Sequence, residues 1–163
     1  YETYYAEDVE EARKIMLSLI PEGSSVGVGG SETLNAMNMI EELRNGPYHF
    51  FDRYQKLPFC EIEEIYREAL NADVFLSSCN AVTRDGRLVN MDSSGNRVAA
   101  ISYGPRKVIM AVGANKVTGL DFFVQHPFVE NANGNFDRNN DGEFDTSYIF
   151  RFTGTNATQF KRV

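Results

Sequence analysis

The sequence predicts an α/β protein: a layered, parallel-type sheet with flanking helices, followed by a β-rich C-terminal segment. Short apolar runs alternate with stretches of helical periodicity from position 1 to about 117. Such alternation implies parallel strand pairing through helical crossovers. From about Thr118 the helical period disappears, and aromatic-rich extended pieces are separated by Asn, Asp and Gly.

The elements follow in order. Val9, Ala12, Met16, Leu19 and Ile20 share one helical face, and Pro21 then Gly23 end that helix. Ser25 to Val28 reads as a short buried strand running into glycines. Ser31 is a candidate N-cap for a second helix whose inward face holds Leu34, Met37, Ile40 and Leu43, closed by Asn45-Gly46-Pro47. Tyr48 to Phe51 is a second strand. A third helix places Ile62, Ile65, Ala69 and Leu70 inward, and Asp73 to Ser78 is a third strand. Two extended pieces around Asp85-Gly86 form a hairpin-type pair. Asn96 to Tyr103 is a short apolar helix closed by Gly104-Pro105, and Lys107 to Gly113 is the most strand-like run.

Bulk properties narrow the function. The chain has 163 residues, 42% of them hydrophobic and 12% aromatic, enough for one domain, or one plus an appendage, with a real core. A net charge of −7 and a pI near 4.9 argue against nucleic acid or an anionic membrane as partner. No apolar run approaches the roughly 20 residues that a spanning helix needs. No signal peptide is visible, and two isolated cysteines, Cys60 and Cys79, suit a reducing cytoplasm. Asn156-Ala-Thr158 reads as a chance glycosylation match.

The stretch VGVGGSETL, Val26 to Leu34, is the first candidate site. A strand that turns through glycine into a helix leaves backbone N–H groups unpaired at the positive end of the helix dipole. Phosphate or carboxylate suits such a place. Gly29 and Gly30 admit a close ligand, and Ser31 and Thr33 add hydroxyls. The alternative is a tight turn with a structural cap. A P-loop is excluded because no lysine follows the glycines. Gly27 and Gly29 match a dinucleotide fingerprint, but Glu32 occupies its third glycine position. Asp52 sits at the distance of a ribose-binding acid. A nicotinamide-dinucleotide binder is therefore a runner-up.

VGVGGSETL, then FFDRY (Phe50–Tyr54), then ADVFLSSCNAVTRDGRLVNMDSSGNRVAAISYGPRKVIMAVGANKV resemble the LUD (lactate utilisation) domain family over Tyr1 to about Val117. The resemblance implies a fold like that of 5-formyltetrahydrofolate cyclo-ligase, in the group of sugar-phosphate isomerases and coenzyme A transferases. Members of that group bind acidic or phosphorylated small molecules over the carboxyl ends of parallel strands. The resemblance also implies a part in turning L-lactate into pyruvate, with separate iron–sulfur subunits as partners. Family members usually continue with a helix and a cysteine-containing segment, which this sequence lacks.

Together these readings give a candidate ligand site. Gly29, Gly30, Ser31 and Thr33 form one anion-facing helix start, and Gly95, Asn96 and Arg97 form a second. Asn80, Asp85, Asn90 and Asp92 lie between them. Arg97 is either a bidentate carboxylate partner or half of a structural salt bridge. Asp85 is either a turn residue or ligand-facing, and Asp92 either a helix cap or ligand-facing. Cys79 is either small and inert or activated by a helix terminus. His49 and His126 read as structural, and no catalytic group is assigned.

In the tail, DRNNDGEFD places Asp137, Asn139, Asp141 and Asp145 at calcium-loop spacing, with Gly142 at the turn and Glu143 beside them. Tyr148 stands where a helix–loop–helix calcium site carries its bidentate glutamate. Calcium is thus a candidate cofactor of this loop, beside the nicotinamide dinucleotide of the runner-up reading. The leading expectation is a LUD-type cytoplasmic protein of lactate or organic-acid utilisation that binds a small anionic metabolite. The alternatives are a non-catalytic assembly subunit for iron–sulfur partners and a calcium-stabilised binding module. A homo-oligomer is compatible with each.

Overall fold

The computed structural model describes residues 2–84, 86–92, 94–118, 148–153 and 157–160. It divides into two compact units, one built from Glu2–Ser78 with Ala99–Ala111, the other from Cys79–Val98 with Val112–Val163.

The first unit holds a four-stranded sheet. Its strands are β1 (Ser25–Val28), β2 (His49–Phe50), β3 (Val74–Ser77) and β6 (Lys107–Met110), in the order β2-β1-β3-β6. Every pairing is parallel, with Val26 opposite both Phe50 and Val74, and Leu76 opposite Ile109. All four β3 residues are buried, as expected of an inner strand covered on both faces.

Helix α1 (Val9–Ser18) starts at Asp8, whose carboxylate accepts from the Glu11 amide at 2.8 Å. Its Met16, with Ile20 beyond its end, joins Val26, Val28, Val74 and Leu76 in the main core. The expected single helix after Ser31 is instead two: α2 (Glu32–Ala36) and α3 (Met39–Asn45). Asn38 between them adopts a left-handed conformation at φ 55°, which breaks the helix. The break turns Leu34, Met37, Met39, Ile40 and Leu43 all inward. Three strands are shorter than expected, since β2 has two residues, β3 loses one residue at each end and β6 ends at Met110.

Helix α4 (Phe59–Ala69) packs against the sheet at Gly27. A methyl group on Gly27 would lie 2.9 Å from both the Ala69 Cβ and the Phe75 ring. At the opposite end of the sheet, Asp73 clamps β1 to β3. Its carboxylate accepts from the Ser25 amide at 3.0 Å and the Ser25 hydroxyl at 2.6 Å, and its own amide donates to that hydroxyl at 2.9 Å.

The second unit holds a five-stranded sheet of order β7-β4-β5-β8-β9. Strands β4 (Ala81–Thr83) and β5 (Leu88–Asp92) are the expected antiparallel hairpin, turned at Gly86 with φ 85°. β7 (Val117–Thr118) pairs parallel with β4. β8 (Tyr148–Thr153) and β9 (Ala157–Phe160) extend the sheet antiparallel from β5. Helix α5 (Asn96–Tyr103) runs from one unit into the other and has the bounds read from the sequence. Asp85, His126, Asn156 and the calcium-type residues Asp137, Asn139, Asp141, Glu143 and Asp145 lie outside the described residues.

Two predictions follow from this packing. Gly27→Ala destabilises the protein by about 1–3 kcal/mol, because the added methyl overpacks the α4 contact; urea unfolding with an unchanged midpoint contradicts this. The Ser25 hydroxyl, and then its amide, hold the Asp73 carboxyl below the usual carboxylate range. The stabilisation is present at neutral pH and lost as pH falls through that lowered value. Ser25→Ala therefore moves the Asp73 titration upward, as followed by side-chain carbonyl NMR.

Candidate functional site

The carboxyl ends of β1, β2 and β3 face the same way because all three strands are parallel. Extending the register by four residues brings Gly30 level with Tyr54, and by two brings it level with Ser78. The glycine turn, the FFDRY segment and the exit of β3 therefore meet at one edge of the first unit.

The three turn glycines have different roles. Gly27 belongs to the α4 contact. Gly29 is buried, and its amide continues the ladder to the Leu76 carbonyl at 2.9 Å. Gly30 is exposed, and the atoms nearest to a Cβ there belong to the Arg53 guanidinium, at 3.6–3.7 Å. The Ser31 hydroxyl caps α2 as expected, accepting from the Leu34 amide at 3.2 Å, while the Ser31 carbonyl accepts from Asn35. Among the described residues, the amides of Gly30, Glu32 and Thr33 meet no acceptor. The Thr33 hydroxyl lies 3.4 Å from that of Ser78.

Sequence reasoning missed Arg53, Tyr54 and Tyr66. The Arg53 guanidinium sits 4.3 Å from the Tyr66 ring centroid and donates to the Tyr66 hydroxyl at 2.6 Å. The Tyr54 hydroxyl is buried and has no hydrogen-bond partner. Burial raises its pKa, while Arg53 and the nearby Ser31 amide pull it down; the Ser31 contact influences the charge without reaching hydrogen-bond geometry. Asp52, considered above as a ribose-binding acid, is held by the chain: one oxygen accepts from Arg44 Nε at 2.8 Å, the other from the Tyr54 amide at 2.9 Å. His49 is exposed on β2, edge-on to Phe51.

The remaining described candidates lie in the second unit. Arg97 is buried and donates to Asp92 at 2.7 Å, to Asn80 Oδ1 at 2.6 Å and to the Met91 carbonyl at 2.8 Å. The other Asp92 oxygen accepts from the Val98 amide at 2.7 Å and caps α5. The anion at this helix start, reached through Gly95 at φ 75° and Asn96, is thus the chain's own carboxylate. Asn80 braces β5 by accepting from the Met91 amide at 3.0 Å.

Cys79 is buried, and burial pushes its thiol pKa up rather than activating it, outweighing the opposing Lys116 charge. Lys116 donates to the Cys79 carbonyl at 2.9 Å, and burial lowers its own pKa. Asn90 is wholly buried, and neither polar atom of its carboxamide has a partner. A buried unsatisfied polar group costs about 1–3 kcal/mol. Asn90→Leu, similar in shape and without that cost, is therefore expected to stabilise the protein by up to about that amount, as measured by denaturant unfolding; a clear loss of stability contradicts it.

Among solved structures the chain is similar to ribose 5 phosphate isomerase A from Neisseria gonorrhoeae, at 15% identity and a TM-score of 0.44. The match covers 66% of this chain and 52% of the isomerase, so the chain spans about half the length of that protein. No curated protein sequence matches. Among the described residues, no helix is long and apolar enough to cross a membrane. The LUD domain model matches residues 1–124, and the chain belongs to the LUD domain family, a family of the lactate-utilisation type.

Proposed function

We propose that this chain binds a small anionic metabolite over the exit of β1 and serves lactate or related organic-acid utilisation. The observation that carries the reading is the turn at Gly30. It is exposed, free of side chain, and flanked by amides without acceptors among the described residues.

Topology supports the same place. In open α/β sheets, ligands bind outside the carboxyl ends of the strands, where the chain leaves adjacent strands in opposite directions. The order β2-β1-β3-β6 puts that switch between β1 and β3, since β1 leads to β2 on one side and β3 leads on to β6 on the other. Gly29 to Ser31 follow β1, and Ser78 follows β3. Thr33 and Ser78 add hydroxyls that pair with each other and can turn to a ligand oxygen.

Thermal unfolding with pyruvate, L-lactate and inorganic phosphate tests the reading. At saturating concentration, at least one of them is expected to raise the Tm by about 5 °C or more. Gly30→Ala should keep the unliganded Tm, because its Cβ fits at ordinary contact distance, while Gly30→Val should lose the ligand response as its methyl groups fill the approach. Unchanged Tm with all three acids counts against the proposal.

A further inference from the structure

Helix α2 has only five residues, so its dipole supplies little charge to the glycine turn. A tightly held anion there requires a cationic side chain. One is present. We propose that Arg53 is the anion-binding side chain of the glycine turn, and that it takes the carboxylate of a small organic acid. This inference rests on the reading of the Gly30 turn given above.

Arg53 differs from the other arginines whose pairings are seen. Arg13 meets Glu10 and Glu42, Arg44 meets Glu41 and Asp52, Arg67 meets Glu64, and Arg97 meets Asp92. Among the described residues, no carboxylate lies within ion-pair distance of Arg53, although its side chain is half-buried. Uncompensated charge in a partly desolvated position is unfavourable, and an incoming anion relieves it.

The guanidinium is also fixed before any ligand arrives. Nη2 gives one of its two N–H groups to the Tyr66 hydroxyl, and the guanidinium lies over the Tyr66 ring, with Tyr54 at 5.9 Å. Nη1, Nη2 and Cζ are almost equidistant from the Cβ position of Gly30, so the flat face of the guanidinium covers the glycine. Nε and Nη1 hold no acceptor among the described residues. A planar carboxylate with two oxygens is gripped from a side of the guanidinium that includes Nη2, together with Nη1 or Nε, because Cδ blocks the side between Nε and Nη1; the second N–H of Nη2 is the shared donor. The Tyr54 hydroxyl, buried and without a partner, and the amides of Gly30, Glu32 and Thr33 supply further donors along the same edge. Tyr66 is a positioning residue: it holds the guanidinium and is not itself required to touch the ligand.

The test is calorimetric titration of the full chain with pyruvate, L-lactate and inorganic phosphate. Arg53→Gln, Arg53→Lys, Tyr66→Phe and Gly30→Val are compared with the unaltered protein, each first shown to keep a cooperative unfolding transition. Loss of a charge-assisted contact predicts binding of pyruvate or lactate weakened about tenfold to hundredfold in Arg53→Gln. Arg53→Lys restores only part of it, because an ammonium lacks the fork. Tyr66→Phe weakens binding less than Arg53→Gln while keeping the charge. If the unaltered protein and Gly30→Val differ but Arg53→Gln and Tyr66→Phe bind as well as the unaltered protein, the turn binds anions without Arg53 and this inference is overturned alone. Phosphate binding with no carboxylate binding overturns the ligand class. No binding by the unaltered protein overturns both readings.

Discussion

The absence of a side chain at Gly27 is the constraint on which the first unit depends. Ala69 and the Phe75 ring occupy the space that a Cβ would need, so α4 lies directly on β1. That closeness sets the height of α4 above the sheet, and with it the position of Tyr66 on the same helix. Tyr66 in turn holds Arg53 against Gly30. Three residues of one short strand and turn thus divide the work. Gly27 admits the helix, Gly29 continues the ladder, and Gly30 leaves room above the amides. A dinucleotide-type reading of these glycines expects close helix packing and close ligand approach. The first is supplied here at Gly27, between β1 and the helix that precedes β3 rather than the one that follows β1.

The clusters around Arg97 and Arg53 are completed in opposite ways. In the second unit Arg97 is enclosed by Asp92, Asn80 and the Met91 carbonyl, and Asp92 spends its second oxygen on the start of α5. Such a network is satisfied internally and fixes geometry. In the first unit Arg53 has an aromatic support and no counter-charge among the described residues, beside a tyrosine hydroxyl without a partner. A buried cluster complete in itself serves architecture. One that is fixed in place but electrically incomplete is suited to a guest.

Much of the fold was legible in the sequence, because periodicity records burial. The Val/Phe/Leu run of β3, the strand Ser25–Val28 and the helix Asn96–Tyr103 have local patterns that tertiary packing did not override. The break at Asn38 was not legible, since Leu34, Met37, Ile40 and Leu43 fit one continuous helical stripe; Met39, buried only because of the break, lies off that stripe. A structural salt bridge was one of two readings of Arg97, without a partner, and the fold supplies the partner in Asp92. Arg53 was invisible as a site residue because nothing in its neighbourhood ties it to position 30. The parallel register of Val26 with Phe50 makes that link, and the register could have been used once FFDRY was placed at a strand exit. Burial of Cys79 was legible as one alternative, but the upward push on its thiol needed the packing around it.

The two thiols occupy different units and opposite environments, Cys60 exposed on α4 and Cys79 buried beside β4. An alkylating reagent therefore meets one prompt thiol and one that must await exposure. The prompt reaction gives a stoichiometric handle on α4, next to the face that carries Tyr66. The delayed one keeps time for the second unit, its rate reporting how often that sheet breathes open while the parallel sheet stays shut.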